Sequence, residues 1–516
     1  MTNSLIIVGG GTAGWITACT LARNLSADLP GGVKITLIES EDIGVIGVGE
    51  GTFPSIRKTL SRIGLDEALL IKHASATLKQ GIRFVNWRHD AATEPGDHYY
   101  HPFQVNSQHT DMDLLPYWLL GVAGDVPWAD VATVQRRVID DMRAPKLITH
   151  ENYAGPLGYA YHFDAVELAA VLRRRALEQG VHHLIDTIDE VRLAEDGAIG
   201  SLMARKHGQL TADFYIDCTG FRAQLIGQAL KVPFKSYRDQ LFCSRAVAIQ
   251  VPYERADHPI ASCTVSTAQE NGWTWDIGLN SRRGTGYVYS SDHTSDERAE
   301  RVLRDYIGPA SENLTSRILK FEAGFRETQW RKNCVAIGLS AGFIEPLEAT
   351  GIGFAEIAGT ILGNLFPWNG DYECGAKQFN DQMNNRYEHV VDFIKLHYCI
   401  SERRDTDFWC DNVAPSSISD GLKQRLERWR WRPPEFIDID MNHDIFTEQN
   451  WQYVLYGMGF KTDISARAGA YRYFQDARAE FDSIRKQADY ALTVMPKHRD
   501  LIEQVRTHGF TPKKVA

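Results

Sequence analysis

Three glycines near the start of the chain, Gly9, Gly11 and Gly14, stand at G-x-G-x-x-G spacing, with Thr12 and Ala13 completing the turn. That spacing allows a tight bend and lets backbone N–H groups approach a pyrophosphate at a helix N-terminus. The apolar run Leu5-Ile6-Ile7-Val8 before it reads as a strand buried on both faces, and Trp15 to Leu25 after it reads as a helix. A second strand-like run, Val33 to Ile38, ends in Glu39, where a carboxylate can accept hydrogen bonds from ribose hydroxyls. A lone glycine fingerprint is a weak signal. Strand, turn, helix and distal acid in sequence give dinucleotide binding.

Later segments choose the dinucleotide. Asp213 to Gly220, containing Asp217, is a short strand ending in a Thr-Gly turn, and Asn333 to Gly338 is a second such strand. They are similar to the middle and third segments of flavoproteins, so FAD is favoured over NAD. Only one complete fingerprint is present, which predicts that reduced flavin arrives from a separate NAD(P)H-dependent flavin reductase. The glycine-rich stretch Gly44 to Pro54, with Gly49, is either a surface loop or a strap whose missing Cβ atoms permit close approach to flavin.

The elements around these segments form an α/β pattern over residues 1–385, expected as an FAD-binding, Rossmann-like module of the flavoprotein monooxygenase type. Residues 386–516 are expected as a mainly helical C-terminal substrate subdomain. The apolar content of 43% supports a sizeable core, and the formal charge of −10 argues against nonspecific nucleic-acid binding. No run approaches the ~20 apolar residues of a membrane span, and the first residues carry no signal pattern, so a cytoplasmic protein is expected. The eight cysteines are scattered without a C-x-x-C pair, which favours buried thiols over disulfides and predicts no metal site.

Two further segments give the module a specific chemistry. Phe343-Ile344-Glu345-Pro346-Leu347-Glu348-Ala349-Thr350-Gly351 follows a strand-like run, and Lys79 stands in Ala76-Thr77-Leu78-Lys79-Gln80-Gly81. With the fingerprint, they resemble the flavin-dependent tryptophan halogenases. In that family FAD, supplied as FADH2, reacts with O2 and chloride or bromide to give a hypohalous acid. The resemblance implies that Lys79 binds this acid or becomes a haloamine. It makes Glu348 the carboxylate partner and assigns halide binding to the backbone of Thr350 and Gly351. The chain departs from the family where Ala349 replaces a serine.

Gly272-Trp273-Thr274-Trp275-Asp276-Ile277-Gly278 resembles the family's W-x-W-x-I-P signature, with Gly278 in place of proline. Trp273 and Trp275 are implied to wall substrate from flavin, although alternate tryptophans on one strand face also serve core packing. His101 and Phe103 are the implied stacking partners of an indole. The family's C-terminal tryptophan pocket has no clear match, and Trp451 is the aromatic candidate there. The expected activity is halogenation of an indole or another electron-rich small aromatic. An FAD-dependent aromatic hydroxylase and a non-catalytic flavin sensor are the alternatives. Oligomeric state stays open, with a homodimer among the options.

Overall fold

The computed structural model describes residues 1–42, 44, 49–104, 112–440 and 443–512. Its contacts group into two compact units, each made of three chain segments. One comprises residues 1–76, 163–237 and 321–388, and the other 77–162, 238–320 and 389–516.

The first unit is built on a six-stranded sheet. Its order is Trp330–Arg331, Cys334–Ala336, Phe214–Asp217, Ser4–Val8, Lys34–Glu39 and His182–Ile185. All neighbours run parallel except the first pair. Leu5, Ile7, Ile35, Leu37 and Ile216 are buried, as continuous apolar runs in a parallel sheet require. The helix Thr12–Asn24 follows the first strand, with Gly11 as its N-cap. The architecture is the α/β flavoprotein type expected.

The second unit carries a seven-stranded sheet ordered Ser316–Lys320, Arg245–Pro252, Arg282–Tyr289, Gly272–Gly278, Thr264–Gln269, Gly81–Val85 and His98–Pro102. Its pairings are antiparallel except Thr264–Gln269 with Gly81–Val85. C-terminal helices Asp407–Val413, Asp420–Trp429, Glu448–Gly457, Phe474–Val494 and His498–His508 belong to this unit. The helical reading of the C-terminal region therefore holds. Among the described residues, no helix is long and apolar enough to cross a membrane, and the cysteines are free thiols.

Candidate active site

The glycine turn has the shape its spacing predicts. Gly9 adopts φ +118°, and a Cβ there would lie 2.1 Å from the Cys218 carbonyl oxygen. A Cβ on Gly14 would lie 1.9 Å from the Gly9 carbonyl oxygen. These two glycines are required by the protein's own packing. Gly11 differs, because a Cβ there meets nothing within 4 Å. The turn is thus closed on the protein side and open where a phosphate would approach. The Thr12 hydroxyl beside it is buried and has no hydrogen-bond partner among the described residues. The residues present fit an FAD pyrophosphate at this helix N-terminus.

Glu39 and Gly338 converge on the same turn. A Cβ on Gly10 would lie 2.6 Å from Glu39 Oε2, so the carboxylate sits against the turn. His183, not singled out by the sequence, holds Glu39 Oε2 at 3.1 Å from its Nε2 and packs edge-on against Trp15. Gly338 adopts φ +76°, and its added Cβ would lie 2.6 Å from that of Ala13. Asp217 plays a different part from a direct cofactor ligand. Its carboxylate accepts from Thr219 N and Oγ1 and from Leu225 N and Ile226 N, all at 2.6–2.9 Å. It shapes the turn after its strand, and burial holds its pKa above the usual carboxylate range. Gly49 is buried in the short strand Gly49–Gly51, whereas residues 43 and 45–48 of the glycine-rich loop lie outside the described residues. Phe53 at the end of that loop packs on Gly353, where a Cβ would come within 2.1 Å of the ring.

Glu348 is buried, and Thr350 and Gly351 open the helix Thr350–Asn364. The first N–H groups of a helix have no intrahelical acceptor and carry its positive end, which suits a halide. Ala349 caps this helix in the left-handed region, φ +57° and ψ 38°, with no side-chain cap. A residue other than glycine there costs roughly 1–2 kcal/mol. Nearly two turns along, Glu356 accepts from Ser55 Oγ at 3.1 Å and Thr59 Oγ1 at 2.9 Å, and burial pushes its pKa up to about 8.

Lys79, His101, Phe103, Trp273, Trp275 and Trp451 belong to the second unit. Lys79 ends the strand Thr77–Lys79, pairs across from Ala160 and is fully buried. Phe103 N donates to Gln80 O at 2.9 Å, which brings the two segments side by side. Lys79 Nζ then lies 5.1 Å from the Phe103 ring centroid. Burial alone does not distinguish this lysine, since Lys146 and Lys395 are equally enclosed. Those two donate to carbonyl groups, Lys146 to Glu151 O and Lys395 to Gln240 O. All three also lie near an aromatic ring, Lys146 at 4.0 Å from Phe510 and Lys395 at 5.0 Å from Phe242, so Lys79 is set apart by its motif.

The tryptophan strand is tied to the lysine strand. Thr77 Oγ1 donates to Gly278 O at 2.6 Å, so the position that carries proline in the family offers its carbonyl here. The Trp273 and Trp275 centroids are 6.4 Å apart, and Trp275 covers Gly286 on the neighbouring strand. The Trp275 Nε1–H is buried with no acceptor among the described residues.

His101 is buried with Phe393, Phe446 and Tyr453 at centroid distances of 5.8–6.4 Å. Trp451 stands one ring behind, 5.0 Å from Phe393 and 5.3 Å from Trp429. Asn450 Nδ2 lies 2.8 Å from His101 Nε2. The sequence reading missed Asn450, although Thr447 and Asn450 stand at capping-box spacing.

His89, Glu94 and Asp97 bring ligand-type atoms within 4.8 Å of one another on the second unit. A carboxylate oxygen already lies against each ring nitrogen of the histidine, that of Glu94 2.7 Å from Nδ1 and that of Glu402 3.3 Å from Nε2.

The tryptophan halogenase family model matches residues 4–471. The chain is 35% identical to tryptophan 6-halogenase SttH of Streptomyces toxytricini, covering 96% of each. It is 31% identical to tryptophan 7-halogenase RebH of Lentzea aerocolonigenes, covering 98% of this chain and 99% of the relative. Among solved structures it is similar to a tryptophan halogenase from Shewanella frigidimarina, with TM-score 0.94, 39% identity and 99% of both chains covered.

Proposed function

The chain belongs to the tryptophan halogenase family, and on that premise we propose that it uses reduced FAD, O2 and chloride or bromide to halogenate an indole or another electron-rich aromatic. It is a flavin-dependent halogenase, an oxidoreductase. The observation that carries the finer reading is the lysine motif at residues 76–81, which the fold encloses with Lys79 Nζ 5.1 Å from the ring of Phe103, the implied indole-stacking residue.

Gly9, Gly11 and Gly14, the Thr12 hydroxyl and Glu39 would hold the FAD pyrophosphate and ribose, with Ala13 and Gly338 beside them. Bound reduced flavin, with O2 and halide, supplies hypohalous acid. Thr350 and Gly351 offer N–H groups to the halide. Lys79 polarises the acid through its N–H donors, or exchanges an N–H for an N–halogen bond with loss of water. The aromatic carbon attacks the halogen, and Glu348 is the candidate base for the proton that the ring cation then loses. His101 and Phe103 orient the ring, while Trp273 and Trp275 wall the substrate. The single glycine fingerprint supports a separate flavin reductase as electron source.

Several relatives are named for tryptophan. In this chain the stretch Asp444 to Tyr453 lacks an evident pair for an amino acid's ammonium and carboxylate, and burying those charges unpaired costs several kcal/mol. Asp444 is engaged with His389. We therefore place free indole, or an indole lacking the zwitterion, ahead of tryptophan, with attack at C3 when it is free. Equal amounts of indole and tryptophan are offered with FAD, a reductase and each halide, and products are read by mass spectrometry and NMR. Halogenated indole in excess is expected. Clean benzo-ring halogenation of tryptophan with indole ignored would overturn the substrate assignment, and an oxygenated, halogen-free product would overturn the activity.

A further inference from the structure

We propose that His498, from the helix His498–His508, is a positioning residue for Lys79. The inference rests on the reading of Lys79 given above. The strand Thr77–Lys79 is paired on one side to Ala160, Tyr161 and His162. Its other edge leaves the N–H groups of Leu78 and Gln80 pointing away from that partner. Gln80 N donates to Ser262 O at 2.7 Å. Leu78 N donates to His498 Nε2 at 2.9 Å, across 420 residues of sequence. An imidazole lone pair takes the place of a neighbouring strand's carbonyl, one residue before the lysine.

This bond defines the ring's protonation. Nε2 must accept from Leu78, so the proton sits on Nδ1, which donates to Ile260 O at 3.3 Å. The ring is fully buried, and burial favours the neutral form that the bond needs. Arg499 beside it donates to Asn280 O at 3.0 Å and packs over Tyr253, which anchors the start of the helix. Ser262 and His498 therefore clamp the backbone on both sides of Lys79. His498 lies beyond the residues that the family model matches.

The bond is tested with full-length wild type, His498→Phe and His498→Gln, each supplied with FAD, a reductase, halide and indole. Gln keeps an acceptor and a donor, and Phe keeps neither. Product per O2 consumed is measured together with hypohalous acid captured by an added trap. For Phe, product per O2 is expected to fall about tenfold, with captured acid and O2 uptake maintained, as follows from a misplaced delivery group. Gln should recover most of the coupling. Wild-type coupling in the Phe variant would overturn the proposal, and so would equal loss in both variants. Imidazole 15N shifts of the wild-type protein decide independently if the Phe variant does not fold: an Nδ1–H tautomer supports the clamp and an Nε2–H tautomer or imidazolium overturns it. Absence of any halogenated product from the wild type would strike the reading of Lys79 instead.

Discussion

Asn450 fixes the tautomer of His101. Its Oδ1 accepts from Thr447 N at 2.7 Å in the capping box of the helix Glu448–Gly457. Its Nδ2 therefore faces His101 Nε2 at 2.8 Å as a donor, which leaves the imidazole proton on Nδ1. One side chain both starts a helix and sets a candidate stacking ring. Asn450→Asp removes the donor, so His101 is expected to take a proton on Nε2. Imidazole 15N shifts read the change, and KM for the aromatic should rise several-fold with flavin binding unaltered. Asn450→Leu also loses the cap and should lower stability by about 1 kcal/mol, measured by denaturant unfolding.

The two kinds of fingerprint glycine separate in mutants. Gly14→Ala drives a Cβ into the Gly9 carbonyl and should destabilise the protein by several kcal/mol, roughly the upper range of overpacking. Gly11→Ala meets no protein atom and should leave thermal stability of the flavin-free protein unchanged. Its FAD affinity should nevertheless fall at least about tenfold, because the methyl group occupies the open side of the turn. Unchanged FAD affinity in a folded Gly11→Ala variant would place the cofactor elsewhere.

Lys79→Ala should abolish product halogenation while FAD binding and O2 uptake continue, since the lysine acts after oxygen and halide have reacted. Wild-type product yield would sink its assignment.

Electron supply follows from the single fingerprint. The purified protein with FAD and NADH should form no product until a flavin reductase is added. Stoichiometric NADH oxidation coupled to product by the protein alone would reveal a nicotinamide site within it.

Glu356 makes stability depend on pH. Its folded pKa of about 8 lies above the usual value of 4.5, so the folded state binds the extra proton between them. The contribution is complete below about pH 4.5 and is lost as pH rises through about 8. Glu356→Gln should remove the loss, giving a higher Tm than wild type at pH 8.5 and no such advantage at pH 4.5. An equal Tm difference at both pH values would show that the carboxyl does not titrate this way.

Sequence alone determined the features that are local. The glycine turn, its strand and its helix are contiguous, so their geometry follows from spacing, and Lys79 and Glu348 were singled out by short motifs. The tertiary structure decided how those groups are held. His498 reaches Leu78 across 420 residues and Asn450 reaches His101 across 349. Such contacts leave no periodic trace, because they depend on where distant helices dock. Asp217 shows the same limit from the other side. Its position at a strand end suggested a cofactor ligand, yet its oxygens are consumed by the N–H groups of the following turn. A buried carboxylate must find donors, and which donors reach it is settled by packing.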